Sequence, residues 1–274
     1  MTPIVSILLP TYKDAPYLIR AVRSVIEQSF EDWELIIIDD GLFPQIKENL
    51  LGVTKSDKRI NVISNEKNLG IQKSLNKGLE VSKGKYIARI DDDDEWIDTN
   101  KLAKQVDFMK TNPGCVLVGT GAVIVDVDGR ELTRYIFPQK DPNIRKKLLL
   151  KNCFIHSSVM FDKTAALQVG GYGEMSDVKH IEDYDLWLRL GRIGKIYNIS
   201  ECSVKFMMHT QSVSAKNKKL QFKNSIRLIE SYKKSYPRYA SSFIVIKLRS
   251  FLYPLFEMIP DSFKYVLFKI YKEF

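Results

Sequence analysis

Tyr86-Ile87-Ala88-Arg89-Ile90-Asp91-Asp92-Asp93-Asp94-Glu95-Trp96 runs from an apolar segment straight into four consecutive carboxylates. The segment Tyr86 to Ile90 predicts a buried strand, so the acids emerge at its C-terminal end, where open α/β sheets place their ligands. Adjacent carboxylates repel one another, and a bound cation relieves that repulsion. Hard divalent ions such as Mg²⁺ or Mn²⁺ take oxygen ligands and keep positions open for water and substrate phosphates, so one or two of these aspartates suffice. The stretch therefore predicts a metal site for a diphosphate, set against the plainer alternative of a solvated acidic turn. A calcium-binding EF-hand loop does not fit, because it needs acids at alternate positions and a Gly at the sixth.

Upstream, Ile4 to Leu9 is short and apolar, predicting a buried strand stopped by Pro10-Thr11. Leu18, Ala21, Val22, Val25 and Ile26 then fall at helical spacing. A second apolar run, Glu34 to Ile38, ends in Asp39-Asp40-Gly41. Strand, helix, strand with both strands apolar throughout argues for a parallel βαβ unit. Asn61 to Ser64 adds a strand, and Leu75, Leu79 and Val81 add a helix after Asn68-Leu69-Gly70. Four strands alternating with helices predict a Rossmann-like, mostly parallel α/β sheet with helices on both faces. No Gly-x-Gly-x-x-Gly fingerprint is present. Phosphates must then be neutralised in another way, and the aspartates with their cation offer one.

Downstream, the pattern predicts a helix through Leu102, Val106 and Met109, a strand from Cys115, and a hairpin around Asp128-Gly129. It also predicts a basic helix over 144–150, a strand over 157–161 beside His156, and a turn or mobile loop at Gly170-Gly171-Tyr172-Gly173. Glu182-Asp183-Tyr184-Asp185 opens another helix, on which Asp183, Leu186, Trp187 and Leu190 share a face. A carboxylate on the apolar stripe, at the positive end of the helix dipole, suits a general base; acids there also simply complement the helix N-terminus. Of the three histidines, His180 reads as structural and His156 as either substrate-facing or packed. His209 ends a strand, and its imidazole can complete a mixed nitrogen and oxygen shell around Mn²⁺.

The 274 residues are 45% apolar and 27% charged, enough for a full core. The net charge of +9 is uneven: residues 1–215 hold 29 Lys+Arg against 29 Asp+Glu, and residues 216–274 hold 13 against 4. A domain over 1–215, split into a nucleotide half to about residue 100 and an acceptor half after it, and a basic amphipathic helical tail over 216–274 are therefore expected. Met1-Thr2-Pro3 leads directly into a strand, no apolar run approaches about 18 residues, and Cys115, Cys153 and Cys202 are isolated. These features predict a cytoplasmic location with buried thiols.

Taken in order, the motifs resemble the family 2 glycosyltransferases of the GT-A fold. The stretches that carry the resemblance are Ser6 to Tyr12, Ser24 to Phe30, Trp33 to Gly41, Asn68-Leu69-Gly70, Tyr86 to Asp94, His156 to Met160, Gly170-Gly171-Tyr172, Glu182 to Arg189, and His209 with Ser212-Val213-Ser214. The resemblance implies an inverting transfer of a sugar from a nucleotide-diphosphate donor, a UDP-hexose or UDP-N-acetylhexosamine, to a glycan or lipid-linked acceptor in surface polysaccharide synthesis. It further implies that Pro10, Thr11 and Tyr12 line the nucleotide pocket with Gly70 and that Asp40 holds the base. Asp91 and Asp92 then lie near the ribose, Asp93 and His209 hold Mn²⁺ or Mg²⁺, and Asp183 is the catalytic base. An aspartate also fills the middle of Asp91-Asp92-Asp93, so the metal register is open by one residue.

From Tyr239 onward aromatics and aliphatics alternate with lysines, which fits either a helix on an anionic membrane surface or a stripe packed on the domain. Two other classes use some of these features. A metal-dependent nucleotidyltransferase also employs strand-end aspartates, but it usually wants two metals and a Gly-rich phosphate loop. A nucleic-acid binder would use the positive charge, yet that charge is confined to the tail and the expected pocket is acidic, so no nucleic acid is expected.

Overall fold

The computed structural model describes residues 2–176, 178–209 and 216–257, without the side chains of Phe256 and Glu257. Its central sheet is built from β1 (Val5–Lys13), β2 (Trp33–Leu42), β3 (Ile60–Ser64), β4 (Tyr86–Arg89), β5 (Glu95–Trp96), β6 (Cys115–Val125), β7 (Glu131–Tyr135), β8 (Met160–Asp162) and β9 (Lys195–Met207). The spatial order is β3-β2-β1-β4-β8-β6-β9-β5, with β7 beside β6. β1, β2, β3, β4, β6 and β9 share one direction, and β5, β7 and β8 run against it.

Alternation along β1 explains why its sequence is apolar throughout. Ile7 and Leu9 face α1 (Leu18–Ile26) and α4 (Lys101–Thr111), whereas Leu8 faces α3 (Ile71–Val81) and α7 (Glu182–Ile193). All three are fully buried, as expected of a parallel strand covered on both faces. The expected helices and strands therefore form, with several local differences.

β1 does not stop at Pro10 but continues to Lys13 through an irregularity after Thr11. Its pairing with β4 has ended at Leu8, so Pro10 has only β2 as a ladder partner, a position where proline is tolerated. The 157–161 segment is divided: a 3₁₀ turn over His156–Ser158 precedes the short β8, because Ser158 N–H bonds Ile155 O and the Ser157 hydroxyl serves the aspartates. Helix α2 (Pro44–Thr54) has no counterpart in the sequence reading; only Leu50 and Thr54 are buried, so no apolar stripe marks it. The two-residue β5 is likewise too short to show a period. Helices α5 (Asp141–Leu148) and α6 (Lys163–Gln168) border β8 and β9.

The Gly170 to Gly173 segment is a held turn, not a free loop. Gly170 and Gly171 have φ of +88° and +66°, Tyr172 is buried, and Asn76 both donates to Tyr172 O and accepts from Tyr172 N–H. Arg189 adds bonds to the carbonyls of Val169 and Gly171.

The basic C-terminal part contains α8 (Lys218–Ser231) and α9 (Tyr239–Glu257). Leu228, Ile229, Tyr232, Tyr236 and Ile246 belong to the same core as Trp187. Tyr232 donates to Asp185 at 3.2 Å and Tyr236 to Leu188 O at 2.7 Å, tying this part to α7. The inner face of α9 (Ser242, Ile246) is thus packed, while Ile244, Leu248, Phe251, Leu252 and Leu255 are exposed. Of the two readings of the tail, packing holds for one face; the residues beyond 257 lie outside the described part.

Candidate active site

The C-terminal ends of β1, β2 and β4 open on one edge of the sheet, and the acids of the sequence are placed there. Asp91 follows β4 and meets a fully buried Arg89, whose guanidinium also bonds Leu8 O at 3.1 Å. Burial works to raise the Asp91 pKa, but the charge of Arg89, with hydrogen bonds from Arg89 and Ser157, outweighs it and holds the carboxyl below its ordinary range. Asp92 accepts from the Thr11 hydroxyl at 2.6 Å; burial and the charge of Asp93 push it up to about 7. Asp94 is fully buried, accepting from Met207 N–H at 3.0 Å and from the Ser157 hydroxyl at 2.5 Å, and burial with its acidic neighbours raises its pKa strongly. Asp94 is therefore a structural tie between β9 and the 3₁₀ turn.

Asp93 is left facing outward, with its Oδ2 2.9 Å from His209 Nε2. The hydrogen bond to Asp93, followed by the carboxylate charges, raises the His209 pKa against burial. A carboxylate oxygen and an imidazole nitrogen converging on one point make a donor pair suited to Mn²⁺ or Mg²⁺, which takes few protein ligands and fills the rest with water and phosphate oxygens. Among the described residues no group of three or more such donors is assembled. Ser212 to Ser214, quoted beside His209, lie outside them.

Asp40 is almost fully buried. Its Oδ1 accepts from Leu69 N–H at 2.7 Å and Asn65 at 2.8 Å, and its Oδ2 from Gly70 N–H at 2.8 Å. A carboxylate has about four acceptor positions, so one remains on Oδ2. Gly70, with φ +81°, precedes α3. Tyr12, half exposed, lays its ring over Gly41, where a Cβ would approach it to 3.3 Å. Pro10, Thr11, Tyr12, Asp40 and Gly70 thus share one end of the sheet with the aspartates.

The second acidic cluster divides by role. Asp185 pairs with Arg189 at 2.6 Å and accepts from Tyr232, which gives it a packing function. Glu182 is buried, and burial together with Asp183 raises its carboxyl to about 7. Asp183, at the first turn of α7, accepts from Asn152 Nδ2 at 3.0 Å. Burial pushes it up to about 6; Tyr184 N–H opposes this and the negative charge of Asp91 adds to it. The ring of His156, beside Asp91, packs against Trp187 one turn along α7 from Asp183, so the fold brings the two clusters, 92 positions apart in the chain, to the same region. Between them lies His156, its Nδ1 4.0 Å from Asp91 and its Nε2 3.1 Å from Tyr172 Oη; burial and Arg89 lower its pKa to about 3, so the ring is neutral.

Sequence reasoning missed Asn152, Arg89 and Ser157 as supports of this site. Arg89 carried a signal: a cation inside a strand with apolar neighbours must be paired, and the nearest acid is Asp91.

Residues 6–170 match the family described as glycosyl transferase family 2. The O-antigen biosynthesis glycosyltransferase WbnJ of Escherichia coli is 34% identical over 216 residues, covering 76% of this chain and 81% of that one. The UDP-Glc:alpha-D-GlcNAc-diphosphoundecaprenol beta-1,3-glucosyltransferase WfgD of Escherichia coli is 31% identical over 216 residues, covering 77% and 80%. Among solved structures, S. aureus TarS 1-349 in complex with UDP superposes with a TM-score of 0.68 at 16% identity, covering 94% of this chain and 76% of that one. The mannosyltransferase PcManGT of Pyrobaculum calidifontis, in complex with GDP-Man and Mn²⁺, gives 0.64 at 13% identity, covering 91% and 70%. These likenesses are those of the GT-A fold.

Proposed function

From the premise that this chain belongs to glycosyl transferase family 2, we propose that it is an inverting, metal-dependent transferase moving a hexose or N-acetylhexosamine from a UDP-sugar to a glycan or lipid-linked acceptor in bacterial surface polysaccharide synthesis. The observation that carries the proposal is the packing of His156, beside Asp91, against Trp187 on the helix whose first turn holds Asp183. One acidic cluster can hold a donor's diphosphate through a cation, and the other can take a proton from an acceptor.

In this reading the base stacks near Tyr12, with the remaining acceptor position of Asp40 available to a ring N–H. Pro10, Thr11 and Gly70 border the nucleotide, and Asp91 and Asp92 lie beside the ribose. Asp93 and His209 would hold Mn²⁺ or Mg²⁺, which supplies positive charge to the departing diphosphate when bound. Asp183 accepts the proton of the acceptor hydroxyl as its oxygen bonds the anomeric carbon from the face opposite the leaving group. The bond from that carbon to the diphosphate oxygen breaks, its electron pair leaves with UDP, and the configuration inverts. Asn152 orients the Asp183 carboxylate, and the neutral His156 with Tyr172 walls the space between the clusters.

The relatives named for O-antigen synthesis and for a diphosphoundecaprenol acceptor support the acceptor class, and the UDP-bound and Mn²⁺-bound neighbours support the donor and the ion. Screening UDP-sugars for UDP release, with and without EDTA, tests the proposal. Release of UDP that EDTA abolishes is expected. Pyrophosphate release would assign a nucleotidyltransferase instead, and absence of UDP release from every donor with lipid-linked acceptors supplied would overturn the reading.

A membrane surface as partner is favoured by a separate observation. Ile244, Leu248, Phe251, Leu252 and Leu255 recur at i, i+4, i+7, i+8 and i+11, forming an exposed apolar stripe on the outer side of α9. Such a stripe beside Lys247 suits an interfacial helix. No described helix is long and apolar enough to cross a membrane. The proposal places the enzyme at the cytoplasmic face of the membrane, where nucleotide sugars are available.

A further inference from the structure

Two residues of the basic C-terminal part, Lys218 and Arg249, meet Lys151 around a cavity of about 310 Å³ that has Asp183 and Asn152 in its wall. The cavity lies between the 149–152 segment, the start of α7, α8 and the inner face of α9, within the range of small-ligand sites. Its walls have two characters. Leu149, Phe222, Ile229 and Ile246 supply apolar surface, and the three cations supply charge.

The cations lie within reach of one another's charge, Lys151 and Arg249 half-buried and Lys218 exposed. Burial lowers the Lys151 pKa, and Lys147 and Arg249 add to this against the nearby Cys153. Arg249 also works on Lys218, which is exposed. Among the described residues no ion pair joins Lys151 or Lys218 to a carboxylate, and the charge of Asp183 is directed to Asn152. Like charges gathered around one cavity are stabilised when an anion sits among them. The first turn of α8, which contributes Lys218 and Gln221, adds the positive end of a 14-residue helix to the same wall.

We propose that this cavity is the acceptor site and that it selects an acceptor bearing a phosphate or diphosphate, the anion held by Lys151, Lys218 and Arg249 while the reacting hydroxyl is presented to Asp183. The proposal rests on the glycosyl-transfer reading above, which gives Asp183 its role. It gives Lys218 and Arg249, two of the thirteen cations of residues 216–274, a chemical purpose: the C-terminal helices complete the site that the sheet begins.

The test uses the full chain in EDTA, so that no metal draws anions to Asp93. Melting temperature and calorimetric affinity are read with inorganic pyrophosphate and with geranyl diphosphate. Both probes are expected to raise the melting temperature of the native chain. In Lys151→Gln/Lys218→Gln the free chain should melt as the native chain does, and pyrophosphate affinity should fall roughly tenfold or more. Asp93→Asn should keep native pyrophosphate affinity, which separates this site from the donor's. Tighter binding of geranyl diphosphate than of pyrophosphate identifies a lipid-linked diphosphate as the source; equal binding identifies a phosphate carried by the glycan. Binding of neither probe to the native chain, or unchanged affinity in the double variant, overturns the proposal. Failure of the glycosyl-transfer reading shows elsewhere, as absence of Mn²⁺-dependent UDP binding, and neither probe measurement depends on it.

Discussion

His209 Nε2 and Asp93 Oδ2 stand 2.9 Å apart although 116 residues separate them in the chain. The contact exists because β9 returns beside β5, with Lys205 in register with Glu95, and carries His209 past the end of the aspartate run. Asp93→Asn and His209→Ala are each expected to weaken Mn²⁺-dependent UDP binding by about tenfold or more while leaving UDP affinity in EDTA as in the native chain. Calorimetry with and without Mn²⁺ measures this. An unaltered Mn²⁺ effect in both variants would remove the pair from the metal site.

Asp183→Asn should cut turnover by roughly two to four decades with UDP affinity retained, the scale of a lost general base. The base works deprotonated, and its pKa is pushed up to about 6 by burial and by Asp91, with Glu182 also facing it from the same helix turn. Native activity should therefore fall as pH drops through about 6. A rate that stays flat from pH 7 to pH 5 contradicts the assignment.

The same shift has a stability consequence of definite sign. A carboxyl whose pKa rises from 3.8 to about 6 on folding adds stability below about pH 4 that is lost as pH rises through 6. At pH 7.5 the ionised Asp183 is thus a burden, and Asp183→Asn should stabilise the chain by about 1–3 kcal/mol. Urea unfolding of both proteins at pH 7.5 and at pH 4 checks it; the gain should shrink at pH 4.

Gly171→Ala tests the held turn. Its φ of +66° disfavours a side chain, and a Cβ would lie 2.6 Å from Asn76 Oδ1, the atom that receives Tyr172 N–H. A destabilisation of about 1–3 kcal/mol is expected. A melting temperature equal to native would show that the turn yields freely.

Phe251→Glu/Leu255→Glu changes only the outer stripe of α9. Flotation with liposomes rich in anionic lipid should recover the native chain and leave the variant in the soluble fraction, at equal melting temperature. Equal flotation would assign the stripe to another use.

The apolar runs at Ile4 to Leu9, Glu34 to Ile38 and Tyr86 to Ile90 predict a mostly parallel α/β sheet from sequence, because a strand buried on both faces cannot alternate. The position of Asp91 to Asp94 at a strand end follows in the same way. Periodicity records which side chains avoid water, and it says nothing about which strands become neighbours. The insertion of β8 between β4 and β6, the approach of β9 to Asp93, the pairing of Asn152 with Asp183, and the closing of a cationic cavity by α8 and α9 were decided by tertiary packing alone. In each case the partners lie tens of residues apart or more, and only the geometry of a filled core determines which distant groups are pressed together.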